Sequence, residues 1–419
     1  MAARRSGTAR TARFALAGIA VTVGVAACTN GDGDDPRATA ATTTSTIVDD
    51  PVSDGVLTIG VMRPPASSLL RETVTIATEQ AIAQINDAGG SFGGPVRLVP
   101  VDEGETVSSA RDAIEELIDQ DVDAVVGPMS SVIALGTLET ITSAGMLACS
   151  PTATALALDD FPDRGMLIRT VPSDSMQATA IAQVAEETGV QAVTIVYVDD
   201  AYGRPLSEAV ADGLSTLSID VGESIGFASG DTELSDEVQR VLESGSGVVI
   251  LLADSTDGTQ FLEALSDEQS SQISTIIVND ALRAPESSQR LSSLRPSIRQ
   301  KLLGVAPQAE DAAAPFDPPG PFATNAFDCV TLIALAAGIA GSDRGADIAR
   351  VLPSVSTGGQ PCNAFAECYA LAQEETQINY NGPSGLTDIG PAGDPIRARF
   401  DQFSFDVEGN DTLSSEAID

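Results

Sequence analysis

The 419-residue sequence contains no histidine and no tryptophan, four tyrosines and a single lysine, Lys301. Without histidine, the usual general base of serine and cysteine hydrolases is missing, as is the commonest zinc ligand. An enzyme would be left with carboxylate, lysine or tyrosine chemistry. No motif for that chemistry is present, so the chain reads as non-catalytic, with no metal site and no cofactor. Scarce aromatics argue against a sugar site, which stacks rings on tryptophan or tyrosine. Basic residues are few as well: 22 Lys plus Arg stand against 60 Asp plus Glu, a formal net charge of −38. Such a chain repels phosphate backbones and anionic headgroups, which excludes nucleic acid as a partner and charge as a means of membrane attachment. Arginine-rich, alanine-rich usage fits a high-GC coding sequence, with a salt-adapted surface as the rival explanation.

The N-terminus carries Arg4, Arg5, Arg10 and Arg13 with no acids, followed by an apolar run from Phe14 to Ala27. At about 14 residues the run is shorter than the ~20 that span a bilayer, so residues 1–27 read as a signal peptide. Its end, Val25-Ala26-Ala27-Cys28, resembles the bacterial lipobox, which implies diacylation of Cys28 (palmitate-type chains) and cleavage before it. A plain signal peptide that happens to contain a cysteine is the alternative. Residues 28–54, rich in Thr, Asp, Ala and Gly, cannot bury a core and read as a lipidated N-terminus and disordered tether. The expected location is the extracytoplasmic face of the cell membrane, held there by lipid. The run Cys329 to Ala340 is too short to span and reads as a buried core helix.

From Val56 onward, apolar runs alternate with amphipathic stretches. Val56–Met62, Val96–Val101, Asp123–Val126, Met146–Cys149, Ala192–Val198, Val248–Leu252 and Thr275–Val278 read as strands, with helices such as Glu72–Asn86 and Ser108–Ile118 between them. Continuous apolar strands separated by helices predict an α/β fold with doubly wound parallel sheets covered on both faces. Ligands of such sheets sit beyond the carboxyl ends of the strands. The loops 127–131, 150–154, 199–203, 253–257 and 279–283 are therefore the ones to inspect. The C-terminal part breaks the rhythm: after the helix Asn325 to Ala340 it reads as two more helices, Gly and Pro punctuation and a final strand region near Arg399 to Asp406, strands returning to existing lobes.

Those loops carry a resemblance. Ile85-Asn86-Asp87-Ala88-Gly89-Gly90, Gly93-Gly94-Pro95-Val96-Arg97-Leu98, Val125 to Ser131, Ser150-Pro151-Thr152-Ala153-Thr154, Arg169-Thr170-Val171-Pro172-Ser173-Asp174 and Asp199-Asp200-Ala201-Tyr202-Gly203 occur in order over most of residues 56 to 410. Together they resemble type I periplasmic binding proteins of the leucine/isoleucine/valine-binding family, the substrate-binding proteins of branched-chain amino acid ABC transporters. The resemblance implies two doubly wound lobes joined by three hinge crossovers, near Pro172, near Gly304 and between Gly385 and Pro395. Lobe 1 would comprise 55–172 plus 306–388, and lobe 2 would comprise 173–305 plus 389–416. It further implies that Ser131, Thr152 and Thr154 grip an α-carboxylate, that Asp280 receives an α-ammonium, and that Tyr202 covers the ligand from lobe 2. The first loop (Arg63 to Ser68) lacks the family's glycine-rich form, and 253–257 lacks an aromatic, which points to a ligand other than a branched-chain amino acid; with aromatics scarce throughout, a polar zwitterion or small amide fits better than a sugar.

Apart from Cys28, four cysteines remain, an even number in an exported chain. Cys362 and Cys368, in a stretch resembling actinobacterial members of the family, suit a local disulfide. For Cys149 and Cys329 a bridge and two buried thiols are both consistent. The expected function is that of a lipid-anchored solute-binding protein for an ABC permease and its ATPase, closing by hinge motion on an amino acid or related polar solute. The alternative is a ligand-sensing receptor of the same fold feeding a signalling partner.

Overall fold

A strand that is apolar at every position needs cover on both faces, and the computed structural model shows what supplies it. It describes residues 53–418 apart from 69, 269, 284–286, 309–321 and 386. The export segment, Cys28 and the tether through residue 52 lie outside the described residues.

The first α/β part runs β1 (Thr58–Arg63), α1 (Leu70–Asp87), β2 (Arg97–Asp102), α2 (Val107–Asp119), β3 (Ala124–Val126), α3 (Ser131–Ser143), β4 (Leu147–Ser150) and β5 (Leu167–Arg169). Its sheet has the order β2-β1-β3-β4-β5 and is parallel throughout. The second part follows: α4 (Asp174–Glu187), β6 (Ala192–Val198), α5 (Gly203–Thr216), β7 (Asp220–Phe227), α6 (Ser235–Ser244), β8 (Val248–Leu252), α7 (Ser255–Asp267), β9 (Thr275–Val278), α8 (Ser288–Ser293), α9 (Pro296–Arg299) and β10 (Leu302–Pro307). The chain then returns to the first part through α10 (Ala323–Ala340), α11 (Gly345–Ser356), β11 (Gln360–Cys362), α12 (Phe365–Gln373) and β12 (Ile378–Tyr380). It ends in the second with β13 (Phe400–Phe405) and β14 (Asp411–Ile418). The second sheet has the order β14-β13-β10-β9-β8-β6-β7, with β13 antiparallel to both its neighbours.

Side-chain alternation explains the apolar runs. In β8, Val249 and Leu251 enter one buried cluster while Val248, Ile250 and Leu252 enter another on the opposite face. In β1, Ile59 and Val61 pack with α1 and α10, and Met62 packs toward α2 and α3. Each sheet is thus sandwiched between two apolar layers, the doubly wound arrangement expected from the sequence. The helix α10 is long and apolar enough to cross a bilayer, but 78% of it is buried inside the fold, so it is a core helix. A disulfide ties it to β4 through Cys149 and Cys329, and a second joins Cys362 to Cys368.

Three crossovers link the two sheets: between β5 and α4, between β10 and α10, and between β12 and β13. The second leaves later than the sequence suggested. Gly304 lies inside β10, paired with Phe403 of β13. It is glycine because a Cβ there would sit 2.0 Å from the Phe403 ring, so the residue makes room for packing and does not mark a hinge. The third is also displaced. Ile389 belongs to the first lobe's core, and Arg169 of β5 donates its backbone N–H to Gly393, so the chain leaves lobe 1 after about residue 395 and not at 388.

Candidate ligand-binding cleft

In each sheet the strand order reverses at one point, between β1 and β3 in the first and between β6 and β8 in the second. Loops leaving such a point diverge and open a crevice.

The lobe 1 wall is built from the loop after β3 and the loop after β4. Ser150 donates to the carbonyl of Pro128 at 2.6 Å and accepts from Ala153 N–H at 3.0 Å, locking the two loops together. Thr152 donates its hydroxyl proton to the Met129 carbonyl. Ser131, the first residue of α3, accepts from Ala155 N–H at 3.2 Å, which leaves its own proton to donate. Ser130, not Ser131, is the residue that caps α3, accepting from Ile133 N–H. Buried Glu103 accepts from Met129 N–H at 2.6 Å, and burial pushes its carboxyl up to about 8 against the pull of that bond. Thr154 is buried, and its carbonyl accepts from Asp174 N–H and from Arg169, bringing this wall to the first crossover.

The facing wall comes from lobe 2. The Asp200 carboxylate accepts from the N–H groups of Tyr202 and Gly203, both at 2.8 Å, and fixes the turn into α5. A Cβ on Gly203 would lie 2.2 Å from the Val198 carbonyl, so only glycine allows this turn. The buried Asn279 side chain accepts from Ala253 N–H and donates to the Tyr202 phenol at 2.7 Å, aiming the ring. Burial raises the phenol well above its ordinary range, and the charges of Asp174 and Asp280 add to the rise.

Asp174 and Asp280 carry the electrostatics. Asp174 is 1% exposed, and the Thr154 side chain is the polar group its carboxylate meets. Burial lifts its carboxyl to about 8, the Asp280 charge adds to this, and Thr154 and Arg169 pull it back. Asp280 is half-buried and raised by burial, with the Gln177 side chain and nearby backbone N–H groups opposing. Neither acid forms a salt bridge among the described residues. Arg169 is spent on Asp394 at 2.6 Å and Asp159 at 2.5 Å, and Arg283 on Asp411 and Asp401. Two neighbouring acids with no salt bridge of their own form a site that gains from an incoming ammonium.

Of the residues chosen from sequence, Thr154, Tyr202 and Asp280 converge on this cluster. Ser131 and Thr152 lie in the adjoining loops, where their hydroxyls also stitch the wall together. Asp174, Gln177 and Asn279 join them, though no motif marks these three as ligand residues. Asp174 lay in the motif Pro172-Ser173-Asp174, but an acid in the first turn of a helix reads as a partner of the helix dipole. Nothing local signals that it is buried between lobes.

Two doubly wound lobes joined by three crossovers, with polar loops facing acids across the crevice, define the class of two-lobed α/β binding proteins. Residues 58–281 match the profile of the periplasmic binding protein family, and the chain belongs to that family. A relative along most of the chain is the chemotactic signal transduction system substrate-binding protein BasB of Halobacterium salinarum. It is 27% identical over 343 residues, covering 76% of this chain and 79% of the relative. The Leu/Ile/Val-binding protein of Escherichia coli is 29% identical over 189 residues, 44% of this chain and 50% of its own length. The fold is shared with the leucine-binding protein LivK of Thermotoga maritima, at a TM-score of 0.67 and 17% identity over 86% of this chain and 98% of that one. It is also shared with the branched-chain amino acid transporter substrate-binding protein LivJ of Streptococcus pneumoniae, at 0.66 and 17% identity over 87% and 99%.

Proposed function

We propose that this protein is an extracytoplasmic, lipid-anchored solute-binding protein that delivers an amino acid or similar ammonium-bearing solute to an ABC importer and performs no catalysis. The observation that carries this reading is the pair Asp174 and Asp280, packed against Tyr202 with no salt bridge of their own. An ammonium entering there gains charge-assisted hydrogen bonds and favours the ionised form of both acids. On the opposite side, the Ser131 hydroxyl and the N–H groups that open α3 suit a carboxylate, because a helix start lacks internal partners for its first donors. Lobe 2 closes over solute held on lobe 1, and the closed form is what the permease subunits recognise. Cys28, bearing the lipid, and the tether from 28 to 54 keep the receptor at the membrane.

Melting temperature against a panel of amino acids, amides, small amines and ammonium-free carboxylates tests the reading. The expected result is a rise with one or more ammonium-bearing solutes and none with carboxylates lacking that group. No rise with any amine-bearing solute would overturn it. A sensing receptor is the second reading, favoured by the chemotactic name of the Halobacterium relative. Uptake of the bound solute lost on deletion of the gene supports import; unchanged uptake with a lost behavioural response supports sensing.

A further inference from the structure

Of the side chains gathered around Asp174 and Asp280, Gln177 carries an unanswered hydrogen-bonding group. It is 2% exposed and lies on α4 three residues beyond Asp174, and residues three apart on a helix share a face. Its amide nitrogen donates to the Val305 carbonyl of β10 at 3.1 Å, and the side chain also bonds Asp280. A carbonyl and a carboxylate only accept, so both bonds engage the amide nitrogen and fix the orientation of the group. The amide oxygen, Oε1, is left buried and without a donor.

Buried carbonyls normally find a donor, because desolvation without one forfeits the bond made to water. Nearby donors are engaged elsewhere. Asn279 donates to the Tyr202 phenol, Arg169 is held by Asp159 and Asp394, and Arg283 by Asp411 at 2.8 Å. The donor that Oε1 lacks is one that a solute can bring.

Three acceptors thus share this end of the cleft: the carboxylates of Asp174 and Asp280 and the amide oxygen of Gln177. A primary ammonium carries three hydrogens on one nitrogen, one for each acceptor. Every alkyl group added to that nitrogen removes a hydrogen and sets carbon against an acceptor. Gln177 cannot swing aside to admit it without breaking its bond to β10. We propose that Gln177 is a specificity-determining residue, the third acceptor of a cage that takes a primary ammonium and rejects secondary to quaternary ones. This inference rests on the reading of the cleft as an ammonium site and narrows the class of solute that site takes.

Melting-temperature and calorimetric titrations of the full chain test the proposal. The probes are L-alanine, L-leucine and L-glutamine, the N-methyl form of each, L-proline and glycine betaine. At least one primary amino acid is expected to bind, and its N-methyl form at least about a hundredfold more weakly, since a site built to bond an N–H rejects the analogue lacking it. In Gln177→Met the primary form should weaken at least about tenfold and its advantage over the N-methyl form should shrink, whereas loss of a merely structural glutamine weakens both alike. The methylation series needs no variant and decides the matter even if Gln177→Met folds poorly. A secondary or quaternary solute that binds as tightly as a primary one, or an unchanged advantage in Gln177→Met, would overturn the cage and leave the ammonium site standing. No response to any of the amines would overturn both.

Discussion

Asp174 shows how a single side chain joins stability to recognition. Its folded carboxyl sits at about 8 against an ordinary value of 3.8, so the folded protein binds a proton that the unfolded chain releases in that interval. The stability this proton confers is complete below about 4 and lost as pH rises through about 8. Asp174→Asn is therefore expected to raise the solute-free melting temperature more at pH 8 than at pH 5, while weakening solute binding; equal shifts at both pH values would contradict the assignment. Asp280→Asn leaves an incoming ammonium with one anionic partner fewer, a loss of about 2–5 kcal/mol in affinity that titration calorimetry reads directly. The hydroxyls and Tyr202 were legible in the sequence through their motifs. Asp174 was not, because its burial arises between segments distant in sequence.

Among the elements, the long apolar strands β6, β8 and β9 appear with the limits read from the sequence, because each is covered on both faces. Strand β7 leaves no clear signal in the sequence: as an edge strand half open to solvent it reads DVGESIGF, with few apolar positions. Strand β5 spans three residues, too short for any periodicity. The family resemblance puts a crossover near Gly304, whereas its pairing with Phe403 inside β10 shows that the glycine serves a close contact. Gly304→Ala should destabilise the chain by about 1–3 kcal/mol through displacement of that ring, as measured by denaturant unfolding. The disulfides differ in reach. Cys149–Cys329 closes 180 residues and Cys362–Cys368 only 6, so chain entropy assigns them about 5 and about 2 kcal/mol. Replacing the first pair with alanine should lower the melting temperature more than replacing the second, and the reverse order would contradict this ranking.

For the molecule as a whole, the doubly wound lobes were legible because alternating apolar runs dictate covered parallel sheets, whereas the exact crossovers depend on which lobe each loop packs against. Glu103 at about 8, Asp123 at about 7 and Asp328 at about 7 are raised chiefly by burial, as Asp174 is. Each contributes stability present at low pH and lost between about 4 and about 8, so the solute-free protein should melt progressively lower from pH 5 to pH 8. A melting temperature that climbs over that interval would show that these acids are ionised or paired in the fold. The most direct test of the central claim is calorimetric titration of the intact chain and of Asp280→Asn with the solute that most raises the melting temperature. The account predicts one saturable site for an ammonium-bearing solute, lost or severely weakened in the variant; undiminished binding by the variant would contradict it.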